Sequence, residues 1–326
     1  MYLWRNHIVS RGDGFRNSIS ARRQALFIEK KTGQKQGKTI MATLTWIGGG
    51  NNKASNPNDW SPTGAPEPSD TLQISGPGTY TMNVRGNDLM GDTLGISYAD
   101  ATLNLSRNAA VTARVGDGAD VKFNLLGVSH LDLSASGSNV ANGGSSDTVN
   151  LARNSVWIGS FNMGYAGHLS TSAGAHSLFI NDGDSGVARG SAVLAMPVVG
   201  TGSISDYASR LEFASSVGAH LSVGVSGEYP GAVIAIDHPY EYHASTSMGA
   251  EGEIDLVGLA HADSYTFKND MLAIYSGNCV IYSMRLQAYS GFGAFEVAQT
   301  PSGVNIFSTA DPNNPPAGAL PIHTGA

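Results

Sequence analysis

"ATLNLSRNAAVTARVGDGADVKFNLLGVSHLDL", residues 101–133, alternates apolar and polar side chains in short runs and breaks each run with Gly, Asn, Asp or Ser. In ATLNL, VKFNL and HLDL every second residue is apolar, which is the period of a strand with one buried face rather than the 3.6 of a helix. The breaks, VGDGAD among them, are turn chemistry. The same pattern begins at Met41 and continues through TLQI, YTMNV, TLGISY, DTVNLA, SVWIGSF, SLFIND, RLEFASS, HLSVGVS, AVIAI, EIDLVGL, MLAIYS, CVIYSMRL, FEVAQ and VNIF. No amphipathic stretch of helical length follows Met41, so the chain reads as all-β.

Apolar-x-apolar pairs fall at Leu103/Leu105, Leu131/Leu133, Val149/Leu151, Leu178/Ile180, Leu211/Phe213 and Ile254/Leu256, at steps of 28, 18, 29, 33 and 43 residues. Short strands, small-residue corners and steps of this size predict a single-stranded right-handed parallel β-helix, a β-solenoid with one continuous apolar column. Such a column needs both ends closed, because the first and last coils otherwise expose apolar faces and unpaired edges. The expected order is a basic leader over 1–40, an N-terminal cap with the first coils over 41–90 and a solenoid body over 91–265. C-terminal β-hairpin coils over 266–310 and a Pro-rich tail over 311–326 follow.

Composition agrees with many tight corners. The 41 glycines among 326 residues exceed the usual share of about 7%, and the 14% of charged residues falls below the usual roughly 25%. The lone Cys279 excludes an intrachain disulfide framework and a multi-cysteine zinc site; alternation around it predicts a small buried hydrophobe. The longest apolar stretch, AVLAMPVV at 192–199, contains a proline and is too short to cross a membrane as a helix.

Charge divides the chain near Met41. Residues 1–40 hold nine Lys and Arg against Asp13 and Glu29, a balance of +7 that leaves the remainder at −14 within an overall −7. The leader has neither the apolar core nor the small-residue site of a secretory signal. Its Arg-rich, acid-poor composition suits a transit peptide or a nucleic-acid-binding arm, and the plainer reading is a start placed upstream of MATLTWIGGG, with the leader disordered or a short helix. The acidic body lacks a basic stripe and is a poor nucleic-acid partner.

The stretch WIGGGNNKASNPNDWSPTGAPEPSDTLQI, residues 46–74, holds W-x-G, D-W-S-P and P-x-x-x-D in that order. It resembles the opening of bacterial surface and secreted β-helix proteins, autotransporter passengers and haemagglutinin-like adhesins among them. The matching residues are Trp46, Gly48, Asp59, Trp60, Pro62, Pro66, Asp70 and Ile74. A second resemblance to the C-terminal coils of such proteins lies in the stretch from AVIAIDHPYEYH through EGEIDLVGL to CVIYSMRLQ, 232–287, and in the closing FEVAQTPSGVNIF, 295–307. The resemblance implies an extracellular or cell-surface protein, exported without a recognisable signal peptide, with a cytoplasmic location as the alternative. Trp46, Asp59, Trp60, Pro62, Pro66 and Asp70 are expected to form a structural cap, with both indoles over the open end of the column.

Three places attract a site reading. DHPYEYH, Asp237 to His243, offers His238, Glu241 and His243 as metal ligands, but His238 and Glu241 would point to opposite faces of a strand, and we expect a strand end and turn. NDGDSG, with Asp182 and Asp184, resembles the start of a calcium loop and is expected to be an Asx-type turn, as is GDGAD at 116–120. No cofactor is expected, with calcium as the alternative. Enzymatic β-helices need converging carboxylates; Asp132, Asp147, Asp182, Asp184 and Glu212 could share a face, yet the lyase and polygalacturonase segments and a G-x-S-x-G elbow are absent. No catalytic residue is assigned. The expected function is therefore a non-enzymatic, adhesin-like surface β-solenoid binding glycans or cell-surface partners through its polar faces. A phage tailspike or tail-fibre-like trimer is one alternative, and a polysaccharide lyase or glycoside hydrolase is another.

Overall fold

Runs in which every second residue is apolar become strands with alternating burial: Leu72 and Ile74, Leu94 and Ile96, and Leu103 and Leu105 all point inward from Thr71–Ser75, Thr93–Ser97 and Asp100–Ser106. A computed structural model describes residues 41–89, 93–116, 118–133, 146–163, 167–225, 231–288, 294–309 and 318–323; the leader over 1–40 lies outside them. The strands stack in parallel coils as a β-solenoid of about eight turns.

Sheet I runs from Thr43–Trp46 through Thr71–Ser75, Thr93–Ser97, Ala110–Val115, His130–Asp132, Val156–Gly159 and Leu178–Asn181 to Val198–Gly200. Sheet II runs from Thr79–Arg85 and Asp100–Ser106 through six further parallel strands to Gly252–Val257. Among the described residues sheet III starts in mid-solenoid, at Asn162–Met163, and continues through Asp184–Ala188, Ser203–Tyr207 and Ser222–Val225 to Ser245–Met248. Its inward positions carry Val187, Ile204, Val223 and Met248, while Ser203, Ser205, Ser222 and Gly224 lie outward.

The repeat length is printed in an amide ladder on the outer face of sheet II. Asn104 donates to Asn83 (2.9 Å), Asn124 to Asn104 (2.7 Å), Asn150 to Asn124 (2.9 Å) and the Ser172 hydroxyl to Asn150 (2.8 Å), at offsets of 21, 20, 26 and 22 residues. The turn is therefore shorter and steadier than the spacing of apolar pairs suggests. Those pairs belong to different sheets, Leu103/Leu105 to sheet II and Leu131/Leu133 to the column of sheet I. At Leu178–Asn181 the phase is the other one: Phe179 and Asn181 are inside, and Leu178 and Ile180 are half-buried. Phe179 stacks on Trp157 at 4.1 Å between ring centres, and Asn181 is satisfied inside by Ser185 and by the Ser203 carbonyl.

At the N-terminal end of the described coils the two tryptophans pack together. Trp46 and Trp60 are both buried and meet edge to face, 5.1 Å between centres, and the Trp60 indole donates to the Ala54 carbonyl (2.8 Å). Buried Asp59 accepts from the Gly50 amide (2.6 Å) and from the Asn56 side chain (2.9 Å). A Cβ on Gly50 would stand 2.4 Å from that carboxylate, so only glycine fits. Trp60–Ser61 pairs antiparallel with Thr43–Trp46 as the last strand of sheet I and runs straight into Pro62, which cannot donate to a further strand. Pro66 is half-buried in the following loop. Asp70 accepts from the Ala42 and Glu67 amides, bracing the turn into Thr71–Ser75.

The C-terminal end is closed by antiparallel hairpins. Ser264–Lys268, Met271–Ser276 and Cys279–Ala288 form a meander whose last residues join sheet III beside Ser245–Met248. Ala294–Gln299 and Gly303–Thr309 close sheet II against Gly252–Val257. Of the tail, Gly318–His323 joins the two hairpins, through Ala298–Ala319 and Tyr265–Ile322 bridges.

Candidate functional site

The segment DHPYEYH sits where the solenoid meets its C-terminal hairpins. Asp237 follows the strand Ala232–Ile236, and Pro239–Glu241 is a single 3-10 turn. The turn is tied to the coil beneath: Val217 donates to the Glu241 carbonyl (3.0 Å), and His243 donates to the Val217 carbonyl (2.9 Å). Pro239 is buried, while Tyr240 projects with 68% of its surface exposed. The buried ring of Tyr282, from the hairpin strand Cys279–Ala288, stands edge-on to Tyr240 at 6.3 Å.

Tyr240 forms a ridge between two hollows. The larger, about 360 Å³, is lined by Tyr240, Tyr242, His243, Val280, Tyr282 and Ser283 among others. The smaller, about 220 Å³, is lined by Asp237, His238, Pro239, Tyr240, Glu241 and Val257–Leu259. Beneath the larger, the Tyr242 hydroxyl bonds Thr246 (2.8 Å), and the Tyr282 hydroxyl is buried with no hydrogen-bond partner among the described residues. Burial pushes both phenols well above their ordinary range. Both stay neutral, as donors or acceptors rather than charges.

Immediately beside the smaller hollow, the outer face of sheet II carries carboxylates at successive coils. Strand register places Ala235 between Glu212 and Asp255, and Val233 between Arg210 and Glu253. Desolvation raises Glu253, opposed by its bond from Asn305 and raised further by Asp255. Asp255 is raised by desolvation, lowered by Arg210 and raised by Asp237. Arg210 pairs with Glu212 at 3.4 Å. The face is thus net negative, and Glu253 and Asp255 hold their protons more tightly than free carboxylates do.

The other singled-out residues take structural places. His238, Glu241 and His243 share the turn, but among the described residues no three His, Cys, Asp or Glu side chains are grouped to hold a metal ion, and Asp182 and Asp184 do no better. Asp182 and Gly183 form the corner between sheets I and III, and Asp184 accepts from Ser203 (2.7 Å). In GDGAD, Asp117 lies outside the described residues, and Asp120 accepts from the Ser146 amide (2.7 Å). Asp132, Asp147, Asp182, Asp184 and Glu212 do not meet on one face: Asp132 is on sheet I, Asp147 points inward to the Val121 amide (2.5 Å), and Glu212 is on the outer face of sheet II.

Cys279 is exposed, not buried. It begins a hairpin strand just after the Gly277–Asn278 turn, well before the residues that join sheet III. The inward phase there belongs to Tyr282, Met284 and Leu286.

The sequence singles out DHPYEYH for its metal-ligand residue types, and it singles out Glu212 without the nearby Asp237, Glu253 and Asp255. The alternation in AVIAIDHP and EIDLV marks all three as outward or terminal, but only the coil register brings them together. No helix among the described residues is long and apolar enough to cross a membrane. Comparison with known proteins finds no family model, no curated protein and no solved structure that matches this chain.

Proposed function

We propose that the protein is a non-enzymatic, adhesin-like β-solenoid of the cell surface or extracellular space that binds glycans, with the Tyr240 ridge as its contact. The observation that carries this reading is the setting of Tyr240: a largely exposed ring on a turn stapled to the coil below, braced edge-on by Tyr282 and flanked by two hollows with polar linings. A rigid aromatic face gives a sugar ring apolar area at little entropic cost, and the polar groups on either side fix its hydroxyls. The 360 Å³ hollow lies at the small end of the range of about 300–1,000 Å³ that suits ligand sites. A panel of immobilised neutral oligosaccharides tests it. Tyr240→Ala is expected to lose binding while Tyr98→Ala, which removes an equally exposed ring elsewhere, keeps it; retention by Tyr240→Ala refutes the site.

The raised Glu253 and Asp255 favour a second reading, a glycoside hydrolase acting where a chain bound at Tyr240 crosses sheet II. A carboxyl raised by desolvation beside a second carboxyl is the starting equipment of acid–base hydrolysis. Release of reducing ends by the wild type and not by Glu253→Gln would establish it, and no release leaves the binding reading alone.

A further inference from the structure

We infer that the smaller hollow selects an amino sugar, with the pyranose ring on Tyr240 and the protonated amine against Asp237 and Glu241. The inference rests on the glycan-binding reading and adds the chemical class of the ligand. The hollow's polar lining is Asp237, His238 and Glu241, with no lysine or arginine. Among the described residues no hydrogen bond or ion pair engages the side chains of Asp237 or Glu241, so both are available to a ligand. Apolar surface from Pro239, Val257 and Leu259 completes the cavity.

The surrounding field has the same sign. Asp237 acts on Asp255, which lies beside Glu253 and across Ala235 from Glu212, and Arg210 is the cation set among them. A neutral sugar gains nothing from this field and an anionic one is repelled. An ammonium group gains a charge-assisted hydrogen bond at a site already short of counter-charge. The hollow of about 220 Å³ is open beside the exposed Tyr240 ring. One sugar unit of a longer chain can therefore seat there while its neighbours run outward.

Calorimetry on the full chain with three tetrasaccharide probes tests this: β-1,4-linked glucose, N-acetylglucosamine and glucosamine, at mildly acidic pH. The expected result is binding of all three, with the glucosamine probe about tenfold tighter, as one charge-assisted hydrogen bond gives, and a preference that shrinks with added salt. The double variant Asp237→Asn, Glu241→Gln is expected to lose the preference for the glucosamine probe over the two neutral ones. Equal binding of all three probes by the wild type overturns the inference and leaves the glycan-binding reading standing. A preference that survives in the double variant overturns it too, because the amine then sits elsewhere. Failure of all three to bind overturns both.

Discussion

Asp206→Asn is expected to change the sign of its effect on stability between acid and neutral pH. Asp206 lies on the inward face of Ser203–Tyr207, fully buried, with Ser209 donating to one oxygen and the other without a partner. Burial pushes its carboxyl up to about 7, against the lowering pull of Ser209. A folded-state pKa above the unfolded value of about 3.9 means that the native chain holds a proton the unfolded chain has released. Stability from this group is therefore full below about pH 4, falls as pH rises through the window and is flat above about pH 7. A difference of about three pH units corresponds to a ceiling of about 4 kcal/mol. Asparagine stays neutral and keeps the Ser209 bond, but its amide donor occupies the place where the second oxygen is unpartnered, which costs about 1–3 kcal/mol. The variant should then be less stable than the wild type by roughly 1–3 kcal/mol in acid and, since the two ends differ by the ceiling of about 4 kcal/mol, more stable by roughly 1–3 kcal/mol above pH 7. Urea unfolding of both proteins in parallel across this range reads the difference, in which the other carboxylates cancel. A flat difference means that Asp206 is ionised and reached by water, and that the corner between sheets II and III is not dry.

Trp60→Ala is expected to cost about 3–5 kcal/mol, the range for emptying a buried indole site, because it removes the edge-to-face partner of Trp46 and strands the Ala54 carbonyl. Thermal unfolding reads the loss, and glycan binding at Tyr240 should be unchanged in the folded variant; loss of binding without loss of stability would return the tryptophans to a ligand role. In the amide ladder, Asn124→Ala breaks two side-chain bonds and Asn83→Ala one, so at about 1 kcal/mol each the internal rung should cost about twice the end rung in urea. Equal costs would show that the rungs are held by backbone pairing alone.

The strands were legible because each depends on neighbours in sequence, and the bonds of the N-terminal turn are largely short-range as well. Asp59 reaches Gly50 and Asn56, Asp70 reaches Glu67, and alternation in ATLNL or EIDLV fixes its own buried face. What failed depends on distance along the chain. Apolar pairs on sheets I and II look alike, so a spacing taken across both cannot give the turn length. The outward polar residues do carry it, at Asn83, Asn104, Asn124 and Asn150. Sheet III was less visible still, since SISDY and SVGV bury one or two modest apolar residues between serines and glycines. In SLFIND three consecutive apolar residues leave the phase open, and the stacking of Phe179 on Trp157 from the coil before decides it. The candidate site has the same character. DHPYEYH announces polar groups beside aromatics, but whether they are ligands or lining is decided by Val217 holding the turn and by Tyr282 bracing the ring from the hairpin. A solenoid assembles its surface from residues one coil apart, so its chemistry becomes readable only once the register is known, and a ladder of outward amides is the sequence feature that supplies that register first.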